Sequence, residues 1–93
     1  MSSHKTARLY RVKGRVQGVG FRYFVEQAAN GLGLRGWVRN RDDGSVEVYA
    51  AGSAAQLSEL AGLLRKGPRL AEVRGVDELE AQLEEHYGFS VRP

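Results

Sequence analysis

A chain of 93 residues, 42% of them hydrophobic, can bury one core and is too short for two. It has no cysteine, which excludes disulfides, thiolate zinc sites and cysteine nucleophiles, and no apolar run approaches the roughly 20 residues that cross a bilayer. The net charge of +3 hides an asymmetry, because residues 1–41 carry nine Lys/Arg and one acid, Glu26, whereas residues 42–93 carry five Lys/Arg and ten acids. The basic half would attract an anion, unless the two halves pair in the fold and cancel.

Residues 1–6 include Lys5 but no apolar stretch behind it, so they read as a flexible tail rather than a signal peptide. The remainder reads as one domain, giving a single unit over residues 1–93. Residues 7–15 alternate, with Leu9, Arg11 and Lys13 on one side and Tyr10, Val12 and Gly14 on the other, as a strand requires. From Phe21 the period lengthens. Phe21, Phe24, Val25, Ala28 and Leu32 share one helical face, and Asn30-Gly31 offers a stop.

Residues 34–40 read as a second strand and residues 45–50 as a third, joined by an Asp43-Gly44 turn. Ser53 and Gln56 have capping-box spacing at the start of a second helix. Leu57, Leu60, Ala61 and Leu64 form its buried stripe, and Lys66-Gly67-Pro68 ends it. Residues 70–77 read as a fourth strand. Residues 78–85, with Leu79 and Leu83 four apart, read as a helical turn or an acidic loop. Phe89-Ser90-Val91 suits a short final strand. The order βαββαβ predicts a ferredoxin-like α/β sandwich: a four-stranded antiparallel sheet plus a short C-terminal strand segment, with two helices on one face.

Between the first strand and the first helix stands Gly14-Arg15-Val16-Gln17-Gly18-Val19-Gly20-Phe21-Arg22. Glycines let backbone N–H groups converge, and N–H groups at a helix start favour an anion. Arg22, off the apolar stripe, adds a guanidinium fork that fits a phosphate. The segment is neither a Walker A loop nor a complete G-x-G-x-x-G. Asn40, at the end of the second strand, could hold a water, or could simply form the turn. Glu26 is the only carboxylate in the first 41 residues, so a carboxylate pair beside the loop is not expected. His4 and His86 belong to no motif, and no cluster has metal-ligand spacing.

The string Val12-Lys13-Gly14-Arg15-Val16-Gln17-Gly18-Val19-Gly20-Phe21-Arg22, followed by Gly33-Leu34-Arg35-Gly36-Trp37-Val38-Arg39-Asn40 and Asp43-Gly44-Ser45-Val46-Glu47, resembles the acylphosphatase family over most of the chain. The resemblance implies hydrolysis of acyl phosphates to a carboxylate and inorganic phosphate, without metal or cofactor. It implies that Arg22 binds the phosphoryl group and Asn40 positions the attacking water. The backbone of Arg15, Val16, Gln17, Gly18, Val19 and Gly20 matches the phosphate-binding loop. Arg41 stands where relatives often carry a small hydroxyl residue, which could place a further cation at the site mouth. The expected partner is a small-molecule acyl phosphate, with no metal and no membrane, for a cytoplasmic monomer. The alternatives are a non-catalytic anion- or nucleotide-binding module and an RNA-binding module. The last would display aromatics such as Tyr10 and Tyr49 on the sheet.

Overall fold

The computed structural model describes residues 4–93. The elements are β1 Thr6–Arg15, α1 Phe21–Gly31, β2 Arg35–Asn40, β3 Val46–Gly52, α2 Ala54–Lys66, β4 Glu72–Ala81 and β5 Phe89–Val91. The strand order is β4-β1-β3-β2-β5. Four strands pair antiparallel, and β5 adds to β2 in parallel, so the sheet is mixed and five-stranded. Both helices cover one face, as the sequence predicts. Thr6, expected in the tail, belongs to β1, and residues 1–3 of that expected tail lie outside the described residues.

The core between sheet and helices takes Tyr10 and Val12 from β1 and Val46, Val48 and Ala50 from β3. Phe21, Val25 and Ala29 of α1 and Leu57, Leu60 and Leu64 of α2 close it. Burying each of these larger side chains contributes about 1.5–3 kcal/mol. α1 ends at Gly31, as the Asn30-Gly31 stop predicts. Just beyond it Gly33 takes a left-handed φ of 76°, with Gly33 N donating to Asn30 O and Leu34 N to Ala29 O at 3.1 and 2.9 Å. This is a Schellman closure, and it sets Leu34 into the core beside Ala29.

Residues 78–85 are neither a helical turn nor wholly a loop. β4 runs on to Ala81, pairing Leu79 with Leu9 and Ala81 with Ala7. A spacing of four is even, so it satisfies a strand's period of two as well as a helical turn. Beyond β4 the chain must travel from one sheet edge to the other to reach β5, and residues 82–88 cross the face away from the helices. There Tyr49 Oη donates to Gln82 O (2.7 Å) and accepts from Glu84 N (2.6 Å). The His86 ring sits 5.4 Å from the Tyr49 ring, and Trp37 stacks on Tyr49 at 5.9 Å. A second small cluster forms from Trp37, Tyr49, Ala7 and Ala51, which buries Tyr49 and Ala51 on the face of β3 away from the helices. Tyr10 and Tyr49 are therefore both buried, one on each face. Neither ring is displayed for a nucleic-acid base, and the RNA-binding alternative loses its aromatic platform.

The charge asymmetry resolves largely into pairing. Lys13 meets Asp77 at 2.8 Å and Arg8 meets Glu78 at 3.5 Å. On the outer face Arg39, Arg41 and Arg11 surround the buried Glu47 carboxylate at 2.7, 3.3 and 3.9 Å. Arg15 and Arg22 of the basic half have no such partner among the described residues.

Candidate active site

The end of the sheet where β1 and β2 finish and β3 begins carries the segment singled out above. Gly14 does not belong to the cradle. It lies within β1 at a bulge against β4, where a Cβ would collide with the Glu72 carbonyl, so its role is close strand contact. The cradle begins after Arg15. Val16 is buried and fixes the loop to the core. Gly18 and Gly20 have φ of 75° and 78°, the left-handed region, with open space around the absent Cβ. These two glycines serve backbone direction rather than packing.

Among the described residues, no turn or loop hydrogen bond uses the N–H of residues 17–20. The loop is held instead by a side chain. Gln17 Nε2 donates to Arg41 O at 2.8 Å and to Ser45 O at 3.0 Å. That clamp joins the loop to the β2–β3 turn, immediately beyond Asn40. The turn is itself tightened by Asp43, whose carboxylate accepts from Ser45 Oγ and N at 2.6 and 2.9 Å. These bonds hold the Asp43 carboxyl below its ordinary pKa.

α1 starts at Gly20 with no side-chain cap and no acidic residue in its first turn. Its first N–H groups therefore lack a side-chain acceptor, and Gly20, Phe21 and Arg22 line the same space as the loop. A cavity of about 310 Å³ opens there, lined by Val16, Gly18, Gly20, Arg22 and Asn40, with Glu26 and Tyr23 at its side. The Asn40 Oδ1 atom is buried and has no hydrogen-bond partner among the described residues. An orphan buried acceptor costs about 1–3 kcal/mol, which a site can recover when a donor arrives.

Sequence-predicted residues separate into two groups here. Val16, Gly18, Gly20, Arg22 and Asn40 converge on one cavity. Arg15, Gln17 and Val19 do not line it. Arg15 sits opposite Glu72 in the β1–β4 ladder, Gln17 clamps the turn, and Val19 packs against the core. Arg41 does not reach the site mouth. Its guanidinium turns to Glu47 on the opposite face of the sheet, drawn by that buried carboxylate. Glu26 and Val91 also line the cavity. Glu26 was legible, standing one helical turn beyond Arg22, whereas Val91 arrives through the parallel β2–β5 pairing that no local pattern announces.

A larger cavity of about 530 Å³ lies at the other end of the sheet, between the start of α2 and the 82–88 crossing. Several of its polar groups are already engaged. Ser53 and Gln56 cap each other, Gln56 Nε2 donates to Leu32 O at 2.8 Å, and Arg35 reaches His86 O. Arg22 and Asn40, singled out in the sequence, line the smaller cavity instead. Among the described residues no three His, Cys, Asp or Glu gather as metal ligands, and no helix is long and apolar enough to cross a membrane.

Residues 8–91 match the family model described as Acylphosphatase. An acylphosphatase of Solibacter usitatus is 53% identical over 90 residues, covering 97% of this chain and 94% of the relative. A solved acylphosphatase structure from Coxiella burnetii superposes with a TM-score of 0.91 at 39% identity, over 95% of this chain and 93% of that one. The crystal structure of an acylphosphatase from Bacillus subtilis superposes at 0.89 with 41% identity, over 97% and 100% of the two chains.

Proposed function

This chain belongs to the acylphosphatase family and hydrolyses acyl phosphates, and we propose that it does so by holding the phosphoryl group against the 16–20 loop and Arg22 while Asn40 orders the attacking water. The observation that carries the proposal is the single cavity shared by Arg22, Asn40 and the loop glycines. The bare N–H groups of the loop and of the α1 start supply preorganised donors for the phosphoryl oxygens. Arg22 supplies a charge and a planar fork. The unpartnered Asn40 Oδ1 accepts a hydrogen bond from the water, which fixes its line of approach.

An acyl phosphate is a mixed anhydride with a good leaving group, so positioning and charge stabilisation supply most of the catalysis. A strong protein base is not needed, and the substrate's own phosphate oxygens receive the water's proton. The carboxylate leaves as the P–O bond breaks, and inorganic phosphate follows. Glu26 stands at the cavity's side without an ion pair to Arg22. We assign it no step. The proposal includes a metal-free reaction carried out by a monomer, whose outer apolar row is covered by its own 82–88 crossing.

The test is hydrolysis of benzoyl phosphate in excess EDTA, with Asn40→Ala beside the wild type. We expect full wild-type turnover in EDTA. We expect Asn40→Ala to lose kcat by about two orders of magnitude or more while still being inhibited by inorganic phosphate. Full activity in Asn40→Ala would remove the water-ordering role.

A further inference from the structure

The phosphate cavity is not closed on its α1 side. Gly20 and Tyr23 line it, and the same two residues line a second depression of about 470 Å³ that runs between α1 and α2. Beyond them this groove is walled by Phe24, Ala28, Leu63 and Pro68, and its one other lining residue is the uncharged Gln27. No charged side chain lines it, on a surface where 27% of the chain's residues are charged. Phe24 and Ala28 are half-buried and pack on the core, which fixes the floor of the groove to the helix–sheet interior. Glu26 also lines the phosphate cavity, and its carboxylate would repel an anionic substituent.

We propose that this groove receives the acyl group of the substrate, and that the enzyme therefore favours acyl phosphates with an extended apolar acyl chain. The inference rests on the catalytic reading above, which places the phosphoryl group at the loop. With the phosphate anchored at Gly20, an acyl chain that runs past Tyr23 enters the groove, whereas one that runs past Glu26 meets a carboxylate. An apolar chain gains by leaving water along the groove. A carboxylate-bearing acyl group would find no cation there to pair with. The exposed Tyr23 ring, in contact with both cavities, would flank the bond between the two halves of the substrate.

The test compares kcat/KM for octanoyl phosphate and acetyl phosphate, which differ in chain length and share leaving-group chemistry. Wild type should favour octanoyl phosphate by about tenfold or more, the scale of a few methylenes in an apolar site. Tyr23→Ala removes part of the wall, and Gln27→Glu places a carboxylate in the groove. Both positions are exposed, and thermal melts will verify that each variant folds. Each should reduce the octanoyl-to-acetyl ratio several-fold. The ratio also controls for any general repulsion of phosphate by the carboxylate introduced at position 27, since both substrates carry the same phosphate. A wild type that turns over both substrates equally, or a ratio unmoved in both variants, overturns the groove and leaves the catalytic reading standing. A wild type that turns over neither overturns the catalytic reading and the groove with it.

Discussion

The two helices of this chain begin in opposite ways. α2 starts behind Ser53, whose Oγ accepts from Gln56 N while the Gln56 side chain accepts from Ser53 N, so two of its free donors are satisfied reciprocally. Tyr10 Oη, from the central sheet, adds a bond to Leu57 O in the same region. α1 starts behind Gly20, with no side-chain cap, no acid in its first turn, and Arg22 where the helix dipole is already positive. By rules of helix stability the second start is well made and the first is poor. The difference separates a helix end built to be stable from one left open for an anion. At α1 the missing cap and the misplaced cation both make sense once a phosphoryl group is added.

The largest expected effect breaks the open end. Arg22→Ala should lower kcat/KM by about 10²–10³-fold, the scale of losing one principal charge stabiliser. It should also raise thermal stability slightly, because a cation at a helix N-terminus costs about 0.3–1 kcal/mol. Activity and stability moving in opposite directions would be the mark of a functional residue at an under-stabilised site. Arg22→Lys keeps the charge and loses the planar fork, so it should weaken inorganic phosphate inhibition and fall between wild type and Arg22→Ala in activity. Steady-state kinetics with phosphate as inhibitor, beside thermal melts, check all three. A loss of stability in Arg22→Ala matching its loss of activity would erase the contrast.

Much of this was legible in the sequence, and the illegible parts have a common cause. Period-two and helical patterns placed nearly every element, because each buries one face against the other layer. The capping box at Ser53 and the stripe at Leu57, Leu60 and Leu64 needed only local rules. Most of what failed depended on partners across the sheet rather than on local pattern. Gly14 read as part of the cradle, yet it answers to the Glu72 carbonyl across a strand pair. Arg41 read as a cation at the site mouth, yet a carboxylate six residues on draws it to the other face. Gln17 read as loop backbone, while its side chain ties the loop to the turn. The end of β4 at residues 78–81 was ambiguous because a spacing of four fits both periods. Arg22 was legible from its place beside the glycine loop, Asn40 gained its role only through the resemblance, and the cavity they share is a tertiary fact.

The closed end can be probed through Tyr10. Burial pushes its phenol up from the ordinary value of 10.0 to about 12, with Glu78 as a lesser cause. The folded state therefore holds the proton more tightly than the unfolded chain. The associated stability is intact below pH 10 and is lost as pH rises from about 10 to about 12, amounting to roughly 2–3 kcal/mol at about 1.36 kcal/mol per unit. Denaturant melts across that range should show the decline. Tyr10→Phe should flatten it, at the cost of the bond to Leu57 O. An unchanged slope in Tyr10→Phe would mean that other groups carry the alkaline transition.

The smallest expected effect completes the contrast. Ser53→Ala removes the side-chain half of the capping box and leaves Gln56 N without its acceptor. Losses of this kind cost about 1 kcal/mol. The start of α2 lies at the opposite end of the sheet from the phosphate cavity, so the loss should appear in thermal melts and leave kcat and KM for benzoyl phosphate within experimental scatter. Added inorganic phosphate should raise the melting temperature of Ser53→Ala as much as that of the wild type, and should raise that of Arg22→Ala far less, because only ligand bound to the native state shifts the transition. The paired response matters more than either number. If phosphate protection weakened equally in both variants, the two helix starts would not be separate devices.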